Sequence, residues 1–414
     1  MSPQSSSDAP RSTRRQFLSG TAGTTLAALS TVGTAGCLGD DTGSTGGGRP
    51  DWPQPHFSPR GTSYNPRATG PTSKPNEAWG VEVGGLALGR PVVFEETVYY
   101  ATGERLRAFA VEDGTERWSV EVEPKSGFRS SVTVDSNHVY VGKTGTRTGV
   151  LAFTHDGEEA WHAPTESSVR APIVAPEQSP DYVYTADTDG YVFRVRTDDG
   201  SVEWRTKVFG PVRALATQFD KPVVGTEGGE VVAFLDNGAG HDPTGLWRTK
   251  VPGGVQALAT VNDDVFVGMF GGGVARLRGS LRAGKTDWHQ PNSSPHRSLV
   301  VGPNRVFSTD GSGIHAYDER EGTRLWESNG DFFAPPAGAG NTVFASDTSE
   351  DGGVVAYDYS GGLGVGDVRF GNRCWTYSLT GGAVTGPTPA HDSVFVVESG
   401  GESGSARLVA LRAE

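Results

Sequence analysis

Five side chains able to hold an anion recur at nearly one interval. Arg129, Arg170, Arg213, Gln256 and Arg297 are spaced 41, 43, 43 and 41 residues apart, and Arg90 lies one residue out of that register. A guanidinium donates paired hydrogen bonds to a carboxylate or phosphate. Brought together at one mouth of a channel, these residues would focus field toward an anionic ligand or a partner's carboxylates. The competing expectation is that each arginine pairs with an acidic neighbour inside its own repeat.

Other chemistry is poorly supplied. Asp187-Thr188-Asp189-Gly190 opens like a calcium loop but has no glutamate at the twelfth position, so a hairpin turn is expected. Gly362, Gly364 and Gly366 space like part of a phosphate loop, without the lysine or the strand–helix context that loop needs. No nucleophile elbow, HExxH motif or plausible triad occurs, and the nine histidines are scattered singly. The two cysteines, Cys37 and Cys374, fail every zinc spacing. Neither a catalytic set, a metal site nor a cofactor is expected. Cys374 reads as a small packed thiol without a partner.

The elements that must position the arginines are strands. From Ala78 onward short apolar runs with period two alternate with turns every eight to twelve residues. Each repeat parses into four strands. An inner strand such as Pro91–Phe94 or Ser131–Val134 is followed by a second such as Val98–Ala101. A third strand carries an Ala-Phe or Ala-Tyr pair, and the fourth begins at a tryptophan. Those tryptophans fall at Trp79, Trp118, Trp161, Trp204, Trp247, Trp288, Trp326 and Trp375, with gaps of 39, 43, 43, 43, 41, 38 and 49 residues. A period near forty marks a repeat architecture. Trp79 precedes any complete repeat, and Arg407–Leu411 ends the last one with no tryptophan after it. Both irregularities vanish if the strand at Trp79 completes the final repeat, which also removes the exposed sheet edges. The expected fold is therefore all-β: one eight-bladed β-propeller of four-stranded antiparallel blades, closed by pairing of its N- and C-terminal strands.

The phrase Ala316, Asp318, Gly322, Trp326 resembles the pyrroloquinoline-quinone-type propeller repeat. Ala108, Gly114 and Trp118 keep its spacing with Ala110 in place of the aspartate, Gly200 and Trp204 keep part of it, and Ala152, Gly157 and Trp161 run one residue short. The resemblance implies that each tryptophan docks between blades against a neighbour's glycine turn and is structural. Quinone-dependent dehydrogenases of this fold use an adjacent cysteine pair, a catalytic aspartate and a calcium ion. This chain has no adjacent cysteines and lacks their large insertions, so it looks more like the non-catalytic members, which include the lipoprotein scaffold of bacterial outer-membrane barrel assembly.

The N-terminus reads as an address. Arg14 and Arg15 form the pair of a twin-arginine export signal, and Thr34-Ala35-Gly36 precedes Cys37 as in a lipobox, which would make Cys37 the lipidated first residue. The expected division is a signal over 1–36, a flexible tether over 37–50, a strap over 51–77 and the propeller over 78–414. Acidic residues outnumber basic ones 49 to 36, a formal charge of −13 that repels phosphate backbones and argues against nucleic acid. Lysine is sparse, a balance that suits an extreme halophile. An extreme halophile of the archaeal type has no outer membrane, so the scaffold's partner does not simply carry over.

Two functional readings follow. One is a monomeric, lipid-anchored, non-enzymatic module on the extracytoplasmic face of the cell membrane, contacting another membrane or exported protein. The other is a quinone- or metal-dependent oxidoreductase with an unrecognised site at the channel mouth. Long loops between third and fourth strands, at 236–245, 279–286 and 359–373, mark the face opposite the arginines as a further candidate for protein contact.

Overall fold

The computed structural model describes residues 50–413 apart from 280–281, 296, 363, 366–367, 370 and 401–404. Arg14, Arg15 and Cys37, with the expected signal and nearly all of the tether, lie outside the described residues, as does part of the glycine run at 362–366.

Thr97–Ala101 is buried along its whole length, odd and even residues alike. Successive strand side chains point to opposite faces, so both faces of this strand must be covered. Val98 and Tyr100 pack into one apolar cluster with Phe395 and Leu408, while Tyr99 and Ala101 pack into another with Val141 and Phe153. Eight such clusters alternate with eight sheets. The sheets span 92–121, 127–164, 169–207, 212–250, 254–290, 300–329, 337–378 and 388–412, and form blades 1 to 8. Among the described residues there is no helix. The protein is an eight-bladed propeller.

Closure is made by hydrogen bonds. Asn76–Glu82 runs antiparallel to Arg407–Arg412 with Trp79 opposite Ala410, and so becomes the outer strand of blade 8. Two inner strands depart from the sequence pattern. In blade 3 the strand is reduced to two bridges, Val169 with Asp187 and Val174 with Tyr184, because Pro172 between them lacks an N–H for the ladder. In blade 2 it is split into Gly127–Phe128 and Thr133–Val134, and the Ser130 hydroxyl takes the intervening N–H of Gly142 at 2.7 Å.

The tryptophans sit between blades. The indole Nε1 of Trp79, Trp118, Trp161 and Trp288 donates to the next blade's turn at the carbonyls of Val111, His155, Thr197 and Glu319, over 2.7–3.0 Å. A Cβ built on Gly114, Gly157, Gly200 or Gly322 would lie under 3 Å from the corresponding ring, so these turns need glycine for close approach as well as for their positive φ. Trp326 lies against Gly361 in the same way, and Trp247 lies against Gly284 a little further off, at 3.1 Å. Two differ: Trp204 donates to the Asp236 carboxylate at 3.1 Å, and Trp375 to the carbonyl of Pro71 at 2.8 Å.

One expectation is corrected. Cys374, beside Trp375, is half-buried and not without a partner: its Sγ lies 3.8 Å from the Asn372 carbonyl oxygen.

Candidate functional site

The floor of the site is built by the segment before the first blade. His391 and Val93 donate to the carbonyls of Pro50 and Trp52, and Val134 to that of Pro53. Gln54 exchanges two hydrogen bonds with Ala175. Thr217, Thr260, Val301 and Gly338 then donate to the carbonyls of Pro59, Arg60, Thr62 and Ser63. Tyr64–Asn65 finishes the circuit by pairing parallel with Gly338 and Ala339. In that order the strap touches blades 8, 1, 2, 3, 4, 5, 6 and 7, closing the channel at their inner strands.

Above this floor is a cavity of about 980 Å³. Its wall contains Arg90, Arg129, Arg170, Arg213, Gln256 and Arg297, each from the start of a different inner strand, so the structure brings all six candidates to one mouth. Two local devices aim them. The ladder skips a residue between Val212 and Ala214 and again between Val255 and Ala257. Such bulges re-aim the extra residue, which here is Arg213 and Gln256. Asp187 and Asp310 order the loops around the mouth. Asp187 accepts from the N–H groups of Ser167, Asp189 and Tyr191, and Asp310 from those of Ser294, Ser312 and Gly313, all within 3.2 Å. Asp187 is thus a hairpin turn. Burial raises its pKa; the same burial would raise Asp310, but hydrogen bonds from His315 and Ser312 hold that carboxyl below its usual range.

The arginines are not equivalent. Arg213 is ion-paired with Glu227 of its own blade, the only carboxylate in the cavity wall among the described residues. Arg90 is 4% exposed and fully committed. It donates to the carbonyls of Pro335, Pro336 and Pro387 over 2.9–3.1 Å and lies 5.5 Å from the Trp52 ring, so it clasps blades 7 and 8 to the strap. Its place one residue out of register turns it into this clamp, and burial lowers its pKa to about 9, which leaves it charged. Beside it, burial and the Arg90 charge push His56 down to about 3, so the imidazole at the floor is neutral at ordinary pH. Among the described residues, Arg129, Arg170 and Arg297 have no ion-pair partner. Pairing within each blade therefore accounts for Arg213 alone.

The side of the cavity without arginines was not visible in the sequence. Where blades 7 and 8 feed their inner strands, the wall is Phe333, Ala334, Pro335, Ala383 and Val384, and Leu86 continues it toward blade 1. Leu86, Phe333 and Val384 are 68%, 50% and 44% exposed. Exposed Phe209 lies on an equivalent connection, between blades 3 and 4, and exposed Phe270 ends a second strand of blade 5 on the same face. Of the loops on the opposite face, 236–245 is fully described and presents no exposed large apolar residue.

A profile of the family described as "Outer membrane protein assembly factor BamB" matches residues 72–234 and 215–414. The chain belongs to that BamB-like, PQQ-type propeller family. BamB from Moraxella catarrhalis superposes with a TM-score of 0.61 at 17% identity, covering 82% of this chain and 99% of that one. The computationally designed Ika8 protein gives 0.63 at 15%, with 80% and 99% covered. Quinohemoprotein alcohol dehydrogenase from Comamonas testosteroni gives 0.67 at 13%, with 87% and 80% covered. At these identities the likeness to solved structures is one of fold. Among curated proteins no sequence matches. A BamB-like propeller is a protein-interaction scaffold type.

Proposed function

We propose that this BamB-like propeller is a non-catalytic binding module, lipid-anchored outside the cell membrane, which receives another membrane or exported protein on its arginine-ringed face. One observation carries the reading: a chain of net charge −13 gathers five arginines against one, already paired, glutamate in a single open cavity. Such a field attracts an acidic partner, which the rest of the protein's acidic surface repels. The acidic, lysine-poor composition suits work at high salt. Arg14, Arg15 and the small residues before Cys37 support export and lipidation.

The dehydrogenase reading meets a misfit in the residues themselves. A calcium-held quinone needs several carboxylate or amide oxygens together, whereas Glu227 is held by Arg213 and the sequence has no adjacent cysteine pair.

The test is capture of the intact protein from its own membranes at native salt, with quinone and metal assayed on the same sample. A stoichiometric protein partner without cofactor is expected; bound quinone or calcium and no partner would sink the reading. Intact-mass analysis of the same sample decides anchoring. A mature chain whose mass carries no lipid on Cys37 would remove the anchor.

A further inference from the structure

The ring of arginines is broken on one side, and the break is apolar. By ladder register Val301, Gly338 and Pro389 are equivalent, so the positions matching Arg297 in blades 7 and 8 are Ala334 and Thr385. Arg90, next around the circle, is withdrawn into its clasp. The cavity therefore has a cationic half, with Arg129, Arg170 and Arg297, which have no ion-pair partner among the described residues, and an apolar half, with Leu86, Phe333 and Val384.

We propose that this basin takes an acidic peptide segment bearing an apolar side chain, with its carboxylates across Arg129, Arg170 and Arg297 and its apolar group against Leu86, Phe333 and Val384. The inference rests on the binding-module reading and names the partner's chemistry. The three cations come from three different blades, 2, 3 and 6, so a chain carrying carboxylates at intervals can meet each of them. Each guanidinium offers a paired donor fork that suits a carboxylate. The floor is sealed by Pro55 and His56 of the strap, so the segment enters and leaves by the same mouth, as a loop or a chain end. His56 is neutral and adds no charge there. An apolar residue set among the acids distinguishes this ligand from a polyphosphate, which would leave Phe333 and Val384 in water.

Calorimetric titration of the full mature chain with a short glutamate-rich peptide holding a central phenylalanine pair tests this. Saturable binding is expected, with no binding of the glutamine counterpart. The triple variant R129Q/R170Q/R297Q should lose at least about tenfold in affinity. Replacing the peptide's phenylalanines by serine should weaken binding severalfold, and Phe333→Ser with Val384→Ser should then add nothing further. Binding of the glutamine peptide, or unchanged binding to the triple variant, would overturn the proposal; so would absence of binding to the wild type. Should the triple variant fail to fold, the wild type still decides. Its affinity must fall between 0.15 M and 1 M salt, where screening shortens from about 8 to about 3 Å, and a salt-independent affinity overturns the charge assignment. A native partner captured equally by wild type and triple variant would leave the binding module standing and refute this use of the basin. Capture of nothing by either would remove the module itself.

Discussion

The two ends of the central channel are made from the same eight inner strands and are opposite in character. At the strap end every blade spends a backbone or side-chain group on residues 50–65, and the channel is shut. At the arginine end the channel is open, and three cations have no carboxylate among the described residues. Satisfied polar groups at one end hold the ring together. Unsatisfied ones at the other cost little because water reaches them, and they remain free for a ligand. Substitutions at the strap end should therefore change stability, and those at the arginine end should change binding.

Trp52 gives the largest expected effect. It is fully buried, exchanges both backbone hydrogen bonds with Val93, and its ring lies 5.2 Å from Phe57 and 5.5 Å from the Arg90 guanidinium. Trp52→Ala removes a large aromatic from a site that cannot collapse without breaking the strap, at a cost of about 3–5 kcal/mol in a denaturant titration. A loss under about 1 kcal/mol would mean that the strap is only draped on the ring. Arg90→Met follows, at about 2–4 kcal/mol, because three buried proline carbonyls lose a charged donor. If Arg90→Met kept full stability, Arg90 would belong with the open arginines and the division between the two ends would fail.

The repeat made most of the fold legible. Trp326 and Gly322 recur because each indole must lie flat on the next blade's turn, and that requirement also revealed that Trp79 closes blade 8. The arginines could be aligned because each starts an inner strand whose position the tryptophan spacing sets. The strap's circuit was not legible. It is made largely through the carbonyls of Pro53, Pro59, Arg60 and Thr62, which any residue supplies. Nor could sequence separate adjacent Phe332 and Phe333, one buried in the cluster between blades 6 and 7 and the other half exposed at the mouth. Whether Arg213 or Arg170 finds an acid depends on where Glu227 lands after a hairpin, a tertiary fact without a local signature.

His56 provides a smaller effect with a definite sign. Its folded pKa, about 3, lies below the ordinary 6.5, so the unfolded chain binds the extra proton between those values. Its contribution is unperturbed above about pH 6.5, and the protein loses stability as pH falls through that range. His56→Gln should remove at most about 2 kcal/mol of the acid-induced loss at pH 5, since partial solvent access screens part of the shift. Parallel melting curves at pH 7 and pH 5 would show it: the gap between the two pH values should narrow in the variant. An unchanged gap would mean that His56 is charged and hydrated at the floor.

The smallest effect divides the two ends most sharply. Arg170 is exposed, and among the described residues it has no ion-pair partner; it shares the mouth with Arg129, Arg297 and the paired Arg213. Arg170→Gln relieves repulsion and should leave stability unchanged or raise it by a few tenths of a kcal/mol at low salt. Glu227→Gln removes the one acid in the wall and should lower stability by a similar amount. Both differences should shrink at 1 M salt, where the Debye length is about 3 Å. Opposite signs at low salt that converge at high salt are what an overcharged, solvated mouth requires. A loss above about 1 kcal/mol for Arg170→Gln at either salt would instead place it with Arg90 among the residues that hold the ring, and the cationic half of the basin would then be part of the fold.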